Sequence, residues 1–226
     1  MARTAITLAA LVLWLAGVTA GFKALWQVDN APGSRALEPV DWPASSHVAR
    51  EPGRPTLVLF AHPRCPCTRA SLAELDSLLA RAGGPLAVRV LFVRPRGAPE
   101  GFERTASLAD ARGLAGVEVA VDADGAEARR FGVATSGHVL LYDADGRLRF
   151  GGGITASRGH RGDSAGRAAV LAILRGAPFA EGLATAPVYG CPLFDEGDGD
   201  GDGPGGAPGE GEGEGEGEGD APCHPD

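Results

Sequence analysis

From residue 56 to residue 176, short apolar runs alternate with amphipathic stretches, and their order restricts the chain to few architectures. Thr56-Leu57-Val58-Leu59-Phe60-Ala61 is a continuous apolar run, the pattern of a strand buried on both faces. A helical pattern starts at Cys65, carries Leu72, Leu75, Leu78 and Leu79 at helical spacing, and stops at Gly83-Gly84. Residues 86–93 read as a second strand, 101–112 as a helix, 117–121 as a third strand, and the stretch through 127–131 as a short helix. Residues 139–142 and 147–150 are two strands joined by Asp143-Ala144-Asp145-Gly146, where Asp-Gly supplies the positive φ of a hairpin turn. Residues 164–175 form a closing helix, capped by Asp163 or Ser164 and ended by Gly176. The order β-α-β-α-β-α-β-β-α predicts an α/β fold with a mixed central sheet flanked by helices.

Three further segments surround this domain, which spans residues 56–194. Residues 5–22 form a stretch of 18 residues without a charge, about 27 Å as a helix and long enough to cross a bilayer core. Residues 1–26 are therefore a transmembrane anchor, with a signal segment cleaved near Val18-Thr19-Ala20 as the competing reading. Both export the rest of the chain. The expected location is a bacterial-type inner membrane, crossed once, with the domain on the periplasmic side. Residues 27–55 contain seven scattered Pro and Gly and read as an extended spacer, in which Trp42-Pro43 packs against the domain. Residues 195–226 are rich in Gly, Asp and Glu and are expected to be disordered.

Formal net charge is −8, but the segment 195–220 holds 11 acidic residues and no Lys or Arg. The remainder has 18 acids and 21 bases, a near-neutral body that gives no case for nucleic acid binding. Four Cys are too few for a disulfide scaffold.

The chemistry is concentrated at Cys65-Pro66-Cys67-Thr68. A thiol at a strand-to-helix junction meets the free N–H groups and partial positive charge of the first helical turn, which stabilise the thiolate. Pro66 suits the first helical position, and Arg64 and Arg69 add positive potential. Cys65 is thus expected to be an exposed thiol of low pKa, with Cys67 able to resolve a mixed disulfide or sulfenic acid formed there.

The segment LVLFAHPRCPCTRASLAEL resembles the active-site region of the thioredoxin-like superfamily, especially its exported, membrane-anchored redoxins, and LLYDADGRLRF resembles that family's penultimate hairpin. More narrowly, HPRCPCTRASL, TSGHVLLYDADG, GGITASRGHRGD and YGCPL are similar to a RedB-like group. The resemblance implies a thioredoxin-like fold and an exported thiol–disulfide oxidoreductase with Cys65 as attacking thiol. The chain departs from the family at three points. Thr68 stands where the second Cys of C-x-x-C would be, Gly137 stands near the usual cis-Pro, and His62 replaces the Thr that peroxiredoxins carry three residues before their reactive Cys. Pro63, two residues before Cys65, matches the peroxiredoxin pattern.

The candidate catalytic residues are accordingly Cys65, Cys67, Thr68 and His138, with Pro63, Arg64 and Gly137 as binding positions. His138 is expected to face Cys65 as a base or a metal ligand, and His62 is a weaker candidate for a functional role. The glycine-rich stretch 151–163 is expected to form a lip over the thiols, with Arg158 and His160 exposed. Cys191 is a further resolving thiol if its segment folds back over the site, whereas Cys223 lies in the tail.

The leading expectation is an oxidoreductase that exchanges disulfides with a protein thiol partner, is attached to the membrane through its N-terminal helix, and requires no cofactor. One alternative is a copper carrier or assembly factor using Cys65, Cys67 and His138, a donor set suited to Cu(I). The other is a peroxiredoxin-like peroxidase that forms a sulfenic acid at Cys65.

Overall fold

The computed structural model describes residues 2–34, 37–176 and 183–194. The expected disorder of residues 195–226 and the position of Cys223 lie outside the described residues.

Helix α1 (Ala2–Asp29) has no buried residue, and it is long and apolar enough to cross a membrane. A signal sequence meets the same test.

The domain follows as β1 (Thr56–Ala61), α2 (Thr68–Ala82), β2 (Ala87–Arg94), α3 (Ala106–Arg112), β3 (Val117–Ala123), α4 (Ala126–Arg130), β4 (His138–Tyr142), β5 (Leu148–Gly153), α5 (Ala165–Leu174) and β6 (Ala184–Ala186). One six-stranded sheet runs in the order β3-β2-β1-β4-β5-β6. β1, β2 and β3 are parallel, β4 is antiparallel to both β1 and β5, and β6 is parallel to β5. β1 is buried at all six positions, which is why its sequence shows no alternation.

Alternate β1 residues feed two cores. Leu57, Leu59 and Ala61 pack with Val139, Leu141, Leu72, Leu75 and Leu78 of α2, Leu108 of α3 and Val170 of α5. Val58 and Phe60 pack on the other face with Leu140, Tyr142, Phe131, Val133 and Leu193. Each fully buried Leu or Phe contributes about 1.5–3 kcal/mol.

Residues 27–55 do not hold the domain away as a spacer would. After α1 the chain wraps over the second core. The Trp42 ring packs edge-on against Phe131 and Tyr142, with ring centres 5.0 Å away in both cases. Its backbone N–H donates to the Gly146 carbonyl at 2.8 Å, and Leu148 N–H donates to the Val40 carbonyl at 2.7 Å. Among the described residues the short α4 is the helix that covers the second core, and the wrap adds Trp42 to the rings of Phe60, Phe131 and Tyr142 already packed there.

Two helix boundaries differ from those read in sequence. α2 begins at Thr68 rather than Cys65, because Cys65 N–H donates to the His62 carbonyl and Thr68 N–H to the Cys65 carbonyl, closing two separate turns. α3 is confined to Ala106–Arg112 and is capped by Thr105, whose side chain accepts from Leu108 N–H. α5 is capped by Ser164, one of the two residues expected there. β6 has no counterpart in the sequence reading, whereas the strap behind it, residues 187–194, is the segment carrying Cys191 that was to fold back over the site.

Candidate active site

β1 ends at Ala61 and delivers residues 62–67 to the C-terminal end of the parallel strands as consecutive turns. A closed ring of hydrogen bonds holds this loop. His62 N–H donates to Ser136 Oγ at 2.9 Å, and Thr68 Oγ1 donates to the His62 carbonyl at 2.9 Å. The Ser136 and Thr68 hydroxyls are 3.2 Å apart, and the Thr68 proton is already committed, so Ser136 donates. Thr68, wholly buried, is therefore a positioning residue rather than a catalytic one. Thr68→Val would remove one of the two hydrogen bonds to the His62 carbonyl and leave the buried Ser136 proton without its acceptor. Urea unfolding is expected to show a loss of about 1–3 kcal/mol; an unchanged midpoint would remove the ring from the account.

The facing loop is Thr135-Ser136-Gly137. It contains no cis peptide; instead Gly137 takes φ +88°, and its N–H donates to the Phe60 carbonyl at 2.7 Å. A Cβ there would sit 2.8 Å from Ser71 Oγ, so glycine serves both the backbone and the packing against α2.

The strap completes the site. Val188 O accepts from Gly33 N–H at 2.8 Å, and Gly190 O accepts from Arg158 Nη1 at 2.8 Å. Ser136 N–H donates to Cys191 O at 2.9 Å, Thr135 bridges Pro192 in antiparallel fashion, and Leu193 N–H donates to Ala134 O at 2.9 Å. This short ladder places Cys191 over Cys65. Cys65, Cys67 and Cys191 are all free thiols. The Cys65 sulfur accepts hydrogen bonds from the Cys191 and Cys67 thiols and from the backbone N–H groups of both residues.

The electrostatics follow from this arrangement. The Cys191 and Cys67 thiols, helped by the two amides, hold Cys65 far below the ordinary thiol range despite its burial. Cys67 and Cys191 are pushed up because each gives its proton to the Cys65 sulfur, and burial adds to this. Arg158 lies close enough to favour the thiolate at both, and Gly159 N–H bonds the Cys67 sulfur. One negative charge is thus shared among three sulfurs and sits mainly on Cys65.

Several sequence expectations change. Cys65 is not exposed: only 3% of its surface reaches solvent, because the strap covers it. The groups that stabilise its thiolate are two thiols and two amides, with one of each from the strap, rather than the α2 terminus alone. Arg64 does not face the sulfur, since its guanidinium lies 4.1 Å over the Phe102 ring. Pro63 is buried within the turn and Arg69 is exposed. His62 packs its ring edge-on against Phe102, and its Nδ1 accepts from Arg64 N–H at 3.2 Å.

His138 does not face Cys65. It shares a sheet face with Leu140 and Tyr142, opposite Val139, which packs on the α2 side. Its Nε2 lies 3.1 Å from Glu38 Oε1, and both residues line a cavity of about 490 Å³ with Gly151 and Pro187. The proposed set of Cys65, Cys67 and His138 therefore does not assemble. Among the described residues no group of three or more His, Cys, Asp and Glu is arranged to hold a metal ion.

The lip is present, through Arg158 and Gly159; His160 is exposed as expected, but Arg158 is half-buried because it bonds the Gly190 carbonyl. Ser136 was not legible as a site residue. Its only signal was adjacency to the Gly137-His138 pair.

Strand order and site geometry together decide the family of folds. A thiol-bearing turn leaves a central strand, a parallel neighbour follows, and an antiparallel hairpin returns on the other side before a closing helix. The fold is thioredoxin-like. No family model and no curated protein matches the chain. Among solved structures, the thioredoxin-like chain is similar to a hypothetical protein, SMc02350, from Sinorhizobium meliloti 1021. The two are 26% identical with a TM-score of 0.52, over 74% of this chain and 96% of that one. An uncharacterized conserved protein from Geobacillus kaustophilus matches at 20% identity and TM-score 0.51, over 74% and 93%. The exposed lipoprotein thioredoxin Etrx1 of Streptococcus pneumoniae matches at 20% identity and TM-score 0.37, over 55% and 85%.

Proposed function

We propose that this chain is an exported thiol–disulfide oxidoreductase, tethered to the membrane by α1, that exchanges electrons with a protein thiol or disulfide. The observation that carries the reading is the Cys65 sulfur accepting from two thiols and two amides. The Cys65 thiolate attacks one sulfur of a substrate disulfide, the substrate S–S bond breaks, and the other substrate sulfur leaves as thiolate. Cys67 or Cys191 then attacks the mixed disulfide at Cys65 and releases the second substrate sulfur. Its proton passes to a departing thiolate, so two electrons move from the protein to the substrate. The low-pKa thiolate is present at neutral pH, where an ordinary thiol of pKa near 8.5 is mostly protonated.

The test is the pH dependence of Cys65 alkylation in the reduced full chain in detergent micelles, read by mass spectrometry. The rate is expected to stay at its plateau down to well below pH 7. A midpoint near 8.5 or higher would remove the activated thiol and the proposal with it.

A further inference from the structure

We infer that Cys65 and Cys191, not Cys67, form the working disulfide, and that the Cys191 sulfur is the point at which an electron donor attacks. This deepens the oxidoreductase reading and rests on it.

Three observations separate the two partner thiols. The first is anchoring. Cys191 is held over Cys65 by a backbone ladder from a different part of the chain, with hydrogen bonds on either side of it. Cys67 stands one residue from Cys65 across Pro66, in a loop fixed by the His62–Cys65 and Cys65–Thr68 turns. A bond between them would close a very small ring and require those turns to open. The second is occupancy. The Cys67 sulfur already accepts from Gly159 N–H, and Cys67 is the residue from which α2 starts. The third is access. Cys65 is 3% exposed and Cys67 7%, whereas Cys191 is only partly buried and is followed by exposed Pro192.

The cycle balances. In the oxidising half, Cys65 thiolate, Cys191 thiol and a substrate disulfide give the Cys65–Cys191 disulfide, one substrate thiol and one substrate thiolate. Two electrons leave the protein, and the Cys191 proton ends on the substrate. In the return half, the thiolate of a donor dithiol attacks Cys191 Sγ. The S–S bond breaks and Cys65 departs as the stabilised thiolate, the better leaving group of the two. The donor's second thiol then closes the donor disulfide and its proton passes to Cys191. Attack at Cys65 instead would expel Cys191, the poorer leaving group.

The experiment uses the reduced full chain carrying Cys223→Ser, in detergent micelles and without oxygen. One equivalent of oxidised glutathione is added, remaining thiols are alkylated in acid, and the linkage is mapped by proteolysis and fragment mass spectrometry. The expected product joins Cys65 to Cys191 and leaves Cys67 alkylated. A Cys65–Cys67 product overturns the inference while leaving the oxidoreductase reading intact. No glutathione adduct and no disulfide at any of the three overturns both. Two single variants give an independent readout. Cys191→Ser is expected to retain a glutathione adduct on Cys65 at least tenfold longer than Cys67→Ser does, and the opposite order overturns the assignment. Exposure of the oxidised chain to reduced glutathione should give its first adduct on Cys191, and a first adduct on Cys65 would place the donor's entry elsewhere.

Discussion

Acidifying the reduced chain is expected to cost it stability at up to about 1.4 kcal/mol per pH unit more than it costs a Cys65→Ser variant. The sign follows from proton counts. Cys65 has a lowered pKa in the fold, because the Cys191 and Cys67 thiols donate to it. Below the ordinary thiol pKa the unfolded chain therefore binds one more proton there than the folded chain does. The stabilisation is fully present above that pKa and drains away as pH falls towards the folded value. Cys67 and Cys191 behave in the opposite sense, each raised by giving its proton to the Cys65 sulfur. Their contribution is present below the ordinary thiol pKa and is lost as pH rises past it. The cluster should thus give a stability maximum near pH 8–9, set by the free-thiol value. Urea titrations from pH 4 to 10 in a non-thiol reductant would test this. Parallel profiles for the parent and Cys65→Ser would show that the sulfurs share no charge.

The second large effect lies between α2 and α5. Glu74 and Arg167 are both nearly sealed, at 3% and 6% exposure, and are paired through Arg167 Nη1 and Glu74 Oε2. Glu74 Oε1 also accepts from Gly162 N–H at 2.7 Å, while Arg167 Nη2 donates to the exposed Asp163 at 2.5 Å. Removing the carboxylate in Glu74→Ala leaves a guanidinium in the core whose remaining partners are the exposed Asp163 and the Ser77 hydroxyl. The expected loss is about 3–5 kcal/mol, read by urea unfolding. Glu74→Leu combined with Arg167→Met should recover most of it, because no charge then remains buried. A single variant within about 1 kcal/mol of the parent would mean the pair is already solvated. The loss should reach the thiols as well, since Gly162 closes the loop that carries Arg158 and Gly159.

The sheet was legible because its inner strands are written as unbroken apolar runs. Residues 56–61 and 139–142 leave no other reading, and the Asp-Gly turn fixes the hairpin of 139–142 with 147–150. The thiols were legible as chemistry but not as geometry. Pro66 marks a helix start in sequence, yet the backbone spends the Cys65 N–H and C=O on flanking turns and delays α2 to Thr68. β6 was invisible because Ala184-Thr185-Ala186 shows no run, and its pairing partner lies more than 30 residues earlier. The wrap was half visible: Trp42-Pro43 was expected to pack on the domain, but the Pro-rich composition around it says nothing about the rings of Phe131 and Tyr142 it covers. His138 was misplaced by one residue of strand parity: a strand's side chains alternate, and Gly137, not His138, turns towards α2.

Gly190 has a consequence that reaches past its own turn. A Cβ at that position would lie 1.9 Å from the Ser136 carbonyl oxygen, and one at Gly153 would lie 2.5 Å from that of Pro187. The seat of the strap therefore requires vacant volume at these two glycines, besides the backbone bonds and the Arg158 side chain that hold it. A single added methyl at 190 would lift the third sulfur from its neighbour without altering a titratable group, so the proton sharing at Cys65 depends on a residue that contributes no chemistry of its own.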